Sequence, residues 1–270
     1  MLTIKDFSDY KFRPHAIGKL MGGLPKPLTE LQEATLINLE SKYELRTITT
    51  KQLETLVDLR SKKHAKPILS KGSITYLEEL YKDIFFNRTK NITSKYLDKG
   101  IAVEDDNISQ YNEYKGLFII KNTERFENDF FSGEPDGIDN NILYEFKSSW
   151  DYYTFPIFDD EVKNKDYEYQ IQCYLDLLNL DKSILVYGLL NTPEDLILRE
   201  KFKKASELGM IDLTDEIDSE IEKNMTYDDI PIKFKIKEFE IYRCPKTIEQ
   251  IKHIIKLSRE YLNSLHFKLA

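Results

Sequence analysis

Cysteine and long apolar runs are both scarce in this chain of 270 residues. Cys173 and Cys244 are its only cysteines. They are too few for a disulfide framework, a four-cysteine zinc site or a cysteine-ligated iron-sulfur cluster. Both are expected to be buried thiols. No apolar run approaches the roughly 20 residues that cross a bilayer. The opening MLTIKDFSDYKF carries acids where a secretory signal carries bases and then an apolar stretch. The expectation is a cytoplasmic chain with no membrane partner. An excess of positive charge is missing as well: 39 Lys+Arg stand against 47 Asp+Glu, a net charge of -8. Taken alone, that balance argues against a nucleic-acid partner, because phosphate binding draws on Lys and Arg. The average hides an asymmetry, with 18 Lys+Arg to 12 Asp+Glu in residues 1–100 and 21 to 35 in the remainder. A local basic groove can coexist with an acidic total.

A hydrophobic content of 41% is ample for a packed core. Apolar residues at three- and four-residue spacing predict helices over Leu28–Tyr43 and Thr50–Lys63, and Gly72-Ser73 opens another at Ile74–Phe86. Ser94–Tyr111 reads as a further helix broken near Gly100. After Gly116 come short β-rich runs, GLFIIKN, RFENDFFSG and NILYEFKSSW, separated by turn-forming clusters and expected as an antiparallel meander. A helix at Lys165–Leu180, a buried strand at Ser183–Leu190, a helix from Pro193 to Leu208, a strand at Lys233–Tyr242 and a helix at Thr247–Leu265 complete the pattern. The acidic patch Asp212–Glu222 reads as a solvated helix or loop. This order implies a mixed sheet flanked by helices, in one α/β domain.

The stretch Gly133 to Ser149, GEPDGIDNNILYEFKSS, places ionisable residues around an apolar strand. Side chains alternate along a strand, so Glu145 and Lys147 share one face while Tyr144 and Phe146 pack on the other. Asp136, between Pro135 and Gly137, belongs in a turn, and a hairpin from there places it opposite Glu145. Asp139 is a rival for that first carboxylate. Two converging carboxylates are what a hard divalent cation such as Mg2+ requires. Such an ion polarises a phosphodiester and lowers the pKa of a bound water, with the lysine orienting that water or balancing charge. Glu-x-Lys also occurs at Glu40/Lys42, Glu113/Lys115 and Glu161/Lys163, so the tripeptide alone leaves a solvated strand edge equally open.

These residues resemble the PD-(D/E)XK nuclease superfamily, whose core strand pair carries an Asp and then Glu-x-Lys, here Pro135-Asp136 and Glu145-Phe146-Lys147. Gln170-Ile171-Gln172-Cys173-Tyr174 is similar to the Gln-x-x-x-Tyr motif of its RecB-type and lambda-exonuclease-type branches. A spacing of four puts Gln170 and Tyr174 on one helical face, within reach of a DNA backbone. Lys99 to Glu104 looks like the helix that supplies a further acid. Phe12 to Met21 is similar to the opening helix of YqaJ-like phage exonucleases, although Pro14 and His15 stand where Cys and Ser are usual. From that motif Arg13 and His15 carry over as DNA contacts.

The resemblance covers roughly residues 10 to 190. It implies a restriction-endonuclease-like fold: a mainly helical part over 1–115, a catalytic core over 116–190 and a C-terminal strand and helices over 191–270. It implies catalytic Asp136, Glu145, Lys147 and Glu104, with Mg2+ (Mn2+ substituting) on Glu104, Asp136, Glu145 and the Phe146 backbone carbonyl. The implied activity is exonucleolytic hydrolysis of linear duplex DNA ends in phage recombination or DNA processing, in the cytoplasm of a bacterial host. A single-strand annealing protein is the implied partner, and oligomers occur in such families. Aromatic Tyr152, Tyr153 and Phe155 beyond the catalytic strand are read mainly as core, with base stacking the alternative. Rival readings are a CRISPR-adaptation-type nuclease, whose iron-sulfur cysteines are missing here, a restriction endonuclease or junction resolvase, a DNA-binding protein that keeps the fold without catalysis, and a structural α/β protein.

Overall fold

The computed structural model describes residues 6–90 and 93–269. These gather into two compact units, one of residues 6–9, 19–86 and 249–269, the other of residues 10–18, 87–90 and 93–248.

In the first unit α1 (Glu30–Glu44) and α2 (Thr50–Lys63) both open on Thr-x-x-Gln. Thr29 and Thr49 accept the Gln32 and Gln52 backbone N–H groups, and each Gln side chain accepts the threonine N–H in return. Two otherwise unpaired donors are thus satisfied at each helix start. Leu36 and Leu39 of α1 bury against Leu56 and Leu59 of α2. α3 (Lys71–Phe85) begins after the Ser70 cap. Its Tyr81 packs with Phe7 and with His266 of the C-terminal helix, Pro245–Leu269. Among the described residues no helix is long and apolar enough to cross a membrane.

The second unit contains α4 (Lys95–Ala102) and α5 (Glu104–Lys115), β1 (Phe126–Glu127), β2 (Ser132–Gly133), β3 (Gly137–Asp139) and β4 (Ile142–Ser148). α6 (Lys165–Leu178), β5 (Lys182–Gly188), α7 (Glu194–Leu208), α8 (Asp215–Met225) and β6 (Ile236–Tyr242) follow. The main sheet has the order β3-β4-β5-β6. β4 runs antiparallel to β3 and parallel to β5, and β6 is antiparallel to β5. A parallel pair needs a crossover, and α6 supplies it between β4 and β5. It also covers one sheet face: Ile171, Tyr174 and Leu175 bury against Leu143, Leu185 and Phe239. On the opposite face Ile108 and Tyr111 of α5 bury against Tyr144, Phe146 and Val186. The sheet is therefore mixed and flanked by helices, as the sequence order predicts.

Three details depart from the sequence pattern. The break between α4 and α5 falls at Val103 rather than near Gly100, which is an ordinary helical position with open space around it. GLFIIKN forms no strand, because both backbone groups of Ile119 bond the Asn112 side chain and only Lys121 bridges to Gly137. RFENDFFSG folds on itself as the two-residue pair β1/β2. The expected meander is thus reduced to the β3–β4 hairpin. Its tip, Asn140-Asn141, has positive φ at both residues, 48° and 61°. That is the two-residue turn whose twist matches antiparallel strands, in a residue type that tolerates it. The cysteines divide: Cys173 is buried and Cys244 only partly so.

Candidate active site

β4 is the central support. Leu143, Glu145 and Lys147 face α6, while Tyr144 and Phe146 face α5, where Tyr111 and Phe146 meet edge to face with ring centroids 5.7 Å apart. Glu145 lies in mid-strand beneath α6 and is 0% exposed. Its Oε2 accepts the Gln170 Nε2–H at 3.0 Å and stands 3.5 Å from Lys147 Nζ. Its Oε1 is buried with no hydrogen bond of normal geometry. Burial first, and then the nearby Asp136 charge, push the Glu145 carboxyl up to about 8; Lys147 and the Asp136 backbone only partly offset this. A buried carboxyl with an unpartnered oxygen costs free energy unless a cation or proton joins it.

Asp136 immediately precedes β3, and the register Gly137↔Tyr144 brings it alongside Glu145 in the middle of β4. Its Oδ2 accepts the Phe146 N–H at 2.7 Å, a donor left over where β3 has ended. In a strand the N–H and C=O of one residue point to the same edge, so the Phe146 carbonyl opens toward the Asp136 side. The turn is fixed through three carbonyls: Tyr174 Oη donates to Glu134, Asn122 Nδ2 to Pro135 and the Asn122 N–H to Asp136. Asp139, by contrast, pairs with Ile142 at the far end of the hairpin, away from Glu145.

Glu104 opens α5, half-buried, with Oε1 3.5 Å from Lys121 Nζ. Burial and then the Asp136 charge raise its carboxyl, against a lowering by Lys121. Lys147 lies over the Tyr167 ring at 5.2 Å. Burial disfavours its charge, yet Glu145 and Asp136 outweigh that and hold its pKa above the ordinary lysine value. It is therefore a cation at neutral pH. The Lys147 carbonyl and the Ser148 hydroxyl both accept from Asn107 Nδ2, at 3.2 and 3.1 Å.

A cleft of about 620 Å³ opens over these residues, with His15, Glu104, Asp136, Lys147 and Gln170 in its wall. Glu145 lies under its floor, joined to it through Gln170 and Lys147. Arg13 is exposed and outside this wall. Tyr174 is 3% exposed and outside it as well. Its hydroxyl, raised far above its ordinary pKa by burial and then by Glu145 and Asp136, holds the Glu134 carbonyl. Gln170 and Tyr174 therefore act in this structure on the carboxylate and on its turn. Phe155 is buried, whereas Tyr152 and Tyr153 are exposed with their rings 4.1 Å apart.

Among the described residues no three acidic, His or Cys side chains are gathered as ready ligands of one metal ion. Each acid is turned to another partner: Glu104 to Lys121, Asp136 to Phe146 and Glu145 to Gln170. The donor chemistry nonetheless fits a hard cation, with carboxylate oxygens bordering one cleft and the unpartnered Glu145 Oε1 beneath it.

No protein-family model matches the chain, and no curated protein does. Among solved structures it is similar to a phage related exonuclease from Haemophilus somnus 129PT, at 22% identity and a TM-score of 0.68 over 97% of each chain. It is also similar to an alkaline exonuclease, LHK-Exo, from Laribacter hongkongensis. That structure and its complex with dAMP match at 16% identity over 74% of this chain and 88% of theirs, with TM-scores of 0.50 and 0.51. The fold is that of these exonuclease structures. Within this fold Pro135-Asp136 lead into β3, β4 carries Glu145-Phe146-Lys147, and α6 carries Gln170 and Tyr174. Sequence reading overlooked Asn107 and Lys121. Asn107 lies three residues after Glu104 on one helical face, a signal that was there to be used. Lys121 sits in GLFIIKN, a run read as a strand, where nothing local marks its partners.

Proposed function

We propose that the protein is a metal-dependent DNA exonuclease that hydrolyses phosphodiester bonds at the ends of linear duplex DNA. The observation that carries this reading is the fully buried Glu145, with one oxygen unpartnered, beside Asp136 and the Lys147 ammonium at a cleft. Glu104, Asp136, Glu145 and the Phe146 carbonyl would hold Mg2+, or Mn2+ in its place. When bound, the ion supplies polarisation of the phosphodiester and a lowered pKa for water. Gln170 keeps the Glu145 carboxylate in one orientation, and Asp136 is aligned by the Phe146 N–H. Lys147 is positioned to orient the attacking water and to balance the charge that develops on the phosphate oxygens. Asn107 fixes the Lys147 backbone, so the ammonium moves on a short tether. His15 lies in the cleft wall for a strand phosphate, and Arg13 extends its reach along the backbone.

Similarity to a phage related exonuclease and an alkaline exonuclease supports the nuclease reading; a role in phage DNA processing alongside a single-strand annealing protein is proposed with it. The test is release of nucleotides from linear duplex DNA, labelled at the 5′ or 3′ end, with Mg2+, by the wild type and by Glu145→Ala. Release by the wild type alone is expected. No release from either end would leave a DNA-binding protein of this fold as the surviving account.

A further inference from the structure

Lys121 belongs to none of the motifs, yet it stands at the junction of the site. Its backbone bridges to Gly137, and its neighbour Asn122 donates to the Asp136 carbonyl, so it is carried on the edge that holds Asp136. Its side chain crosses to the start of α5. There Nζ bonds Asp105 Oδ1 at 2.7 Å and approaches Glu104 Oε1 at 3.5 Å. Asp105 is well exposed, with 78% of its side chain accessible, and borders no part of the cleft. Glu104 borders it. One ammonium is thus shared between an acid of the site and an acid outside it.

We propose that Lys121 is a built-in counter-cation of the site. Its ammonium neutralises Glu104 in the metal-free protein, and a divalent ion gains that carboxylate as the ammonium withdraws fully onto Asp105. The inference rests on the cation-site reading above. It accounts for Glu104 facing Lys121 instead of converging with Asp136 and Glu145, and it gives Asp105 a role as the resting place of the displaced charge. The shared pair is partly solvated, so the competition is modest in strength: about two- to fivefold in cation affinity.

Mn2+ binding to the full-length chain, followed by calorimetry and by the paramagnetic signal of free Mn2+ without DNA, provides the test. Lys121→Met is expected to bind Mn2+ about two- to fivefold more tightly than the wild type, while Lys121→Arg keeps the wild-type affinity. Asp105→Asn leaves the ammonium only Glu104 and is expected to weaken binding. That weakening should shrink to half or less in the Lys121→Met background, because Asp105 acts through the lysine. Should Lys121→Met fold poorly, Lys121→Gln serves the same comparison. If Glu104→Gln and Glu145→Gln weaken binding but neutralising Lys121 does not strengthen it, the counter-cation is wrong and the cation site stands. If Glu104→Gln and Glu145→Gln leave binding unchanged, the site reading falls and the counter-cation with it.

Discussion

Replacing Glu145 with glutamine removes an ionisation that the fold resists. In the unfolded chain this carboxyl titrates near 4.5, and in the folded chain it is raised to about 8. Between those values the native state holds a proton that the unfolded state has lost. The stability associated with that proton is present at low pH and is lost as pH rises through the interval. Each unit of separation is worth about 1.4 kcal/mol, so the wild type should lose on the order of 3–5 kcal/mol between pH 4.5 and 8 through this group. Glutamine is isosteric, and a rotated Gln170 amide can still bond it. Urea unfolding in EDTA at intervals from pH 5 to pH 8, on both proteins, reads the difference directly. The variant should gain on the wild type by roughly 1 kcal/mol per pH unit, and saturating Mn2+ should restore the wild type selectively at pH 8. Parallel stability profiles for the two proteins would show that Glu145 ionises without penalty and would remove the main physical reason for a cation beneath the cleft.

Cation affinity itself should rise with pH up to about 8, the value to which Glu145 is raised, by up to about tenfold per unit, because binding must displace its proton; calorimetry in buffers of different ionisation heat would also count the proton released. Gln170→Ala strips Glu145 Oε2 of its donor and should weaken cation binding about 10- to 100-fold, while far-ultraviolet circular dichroism stays that of the wild type. Gly188→Ala would bring a methyl within 2.1 Å of Asn107 Oδ1, the side chain that holds the Lys147 backbone. A loss on the order of 1–3 kcal/mol is expected in urea unfolding; an unchanged midpoint would mean that Asn107 is free to move aside.

The helices with caps and strong periodicity were legible: Thr50–Lys63 has the bounds that its spacing predicts, and α6 and β5 fall within two residues of theirs. So was the division of β4, because alternation is a local property and Tyr144 and Phe146 had to leave the polar face. The short runs after Gly116 were not, since β propensity does not reveal that the Asn112 side chain takes both backbone groups of Ile119. Gln170 and Tyr174 were placed on one face correctly. That the first would reach Glu145 and the second a backbone carbonyl depends on how closely α6 packs on the sheet. Lys121 was invisible for a related reason: its partners lie 16 and 17 residues upstream, beyond any local spacing rule.

The hairpin tip Asn140-Asn141 fixes more than a turn. With two residues between β3 and β4, the register sets Asp136 beside Glu145, where it reaches the Phe146 N–H. Strand faces have a parity, so one residue added into the paired part of β3 would turn Asp136 toward the α5 side of the sheet while Glu145 stayed under α6. Two added residues would restore the face but displace Asp136 by about 7 Å along the strand. The length of β3, counted from that turn, thereby acts as the ruler that sets the distance between the two acids.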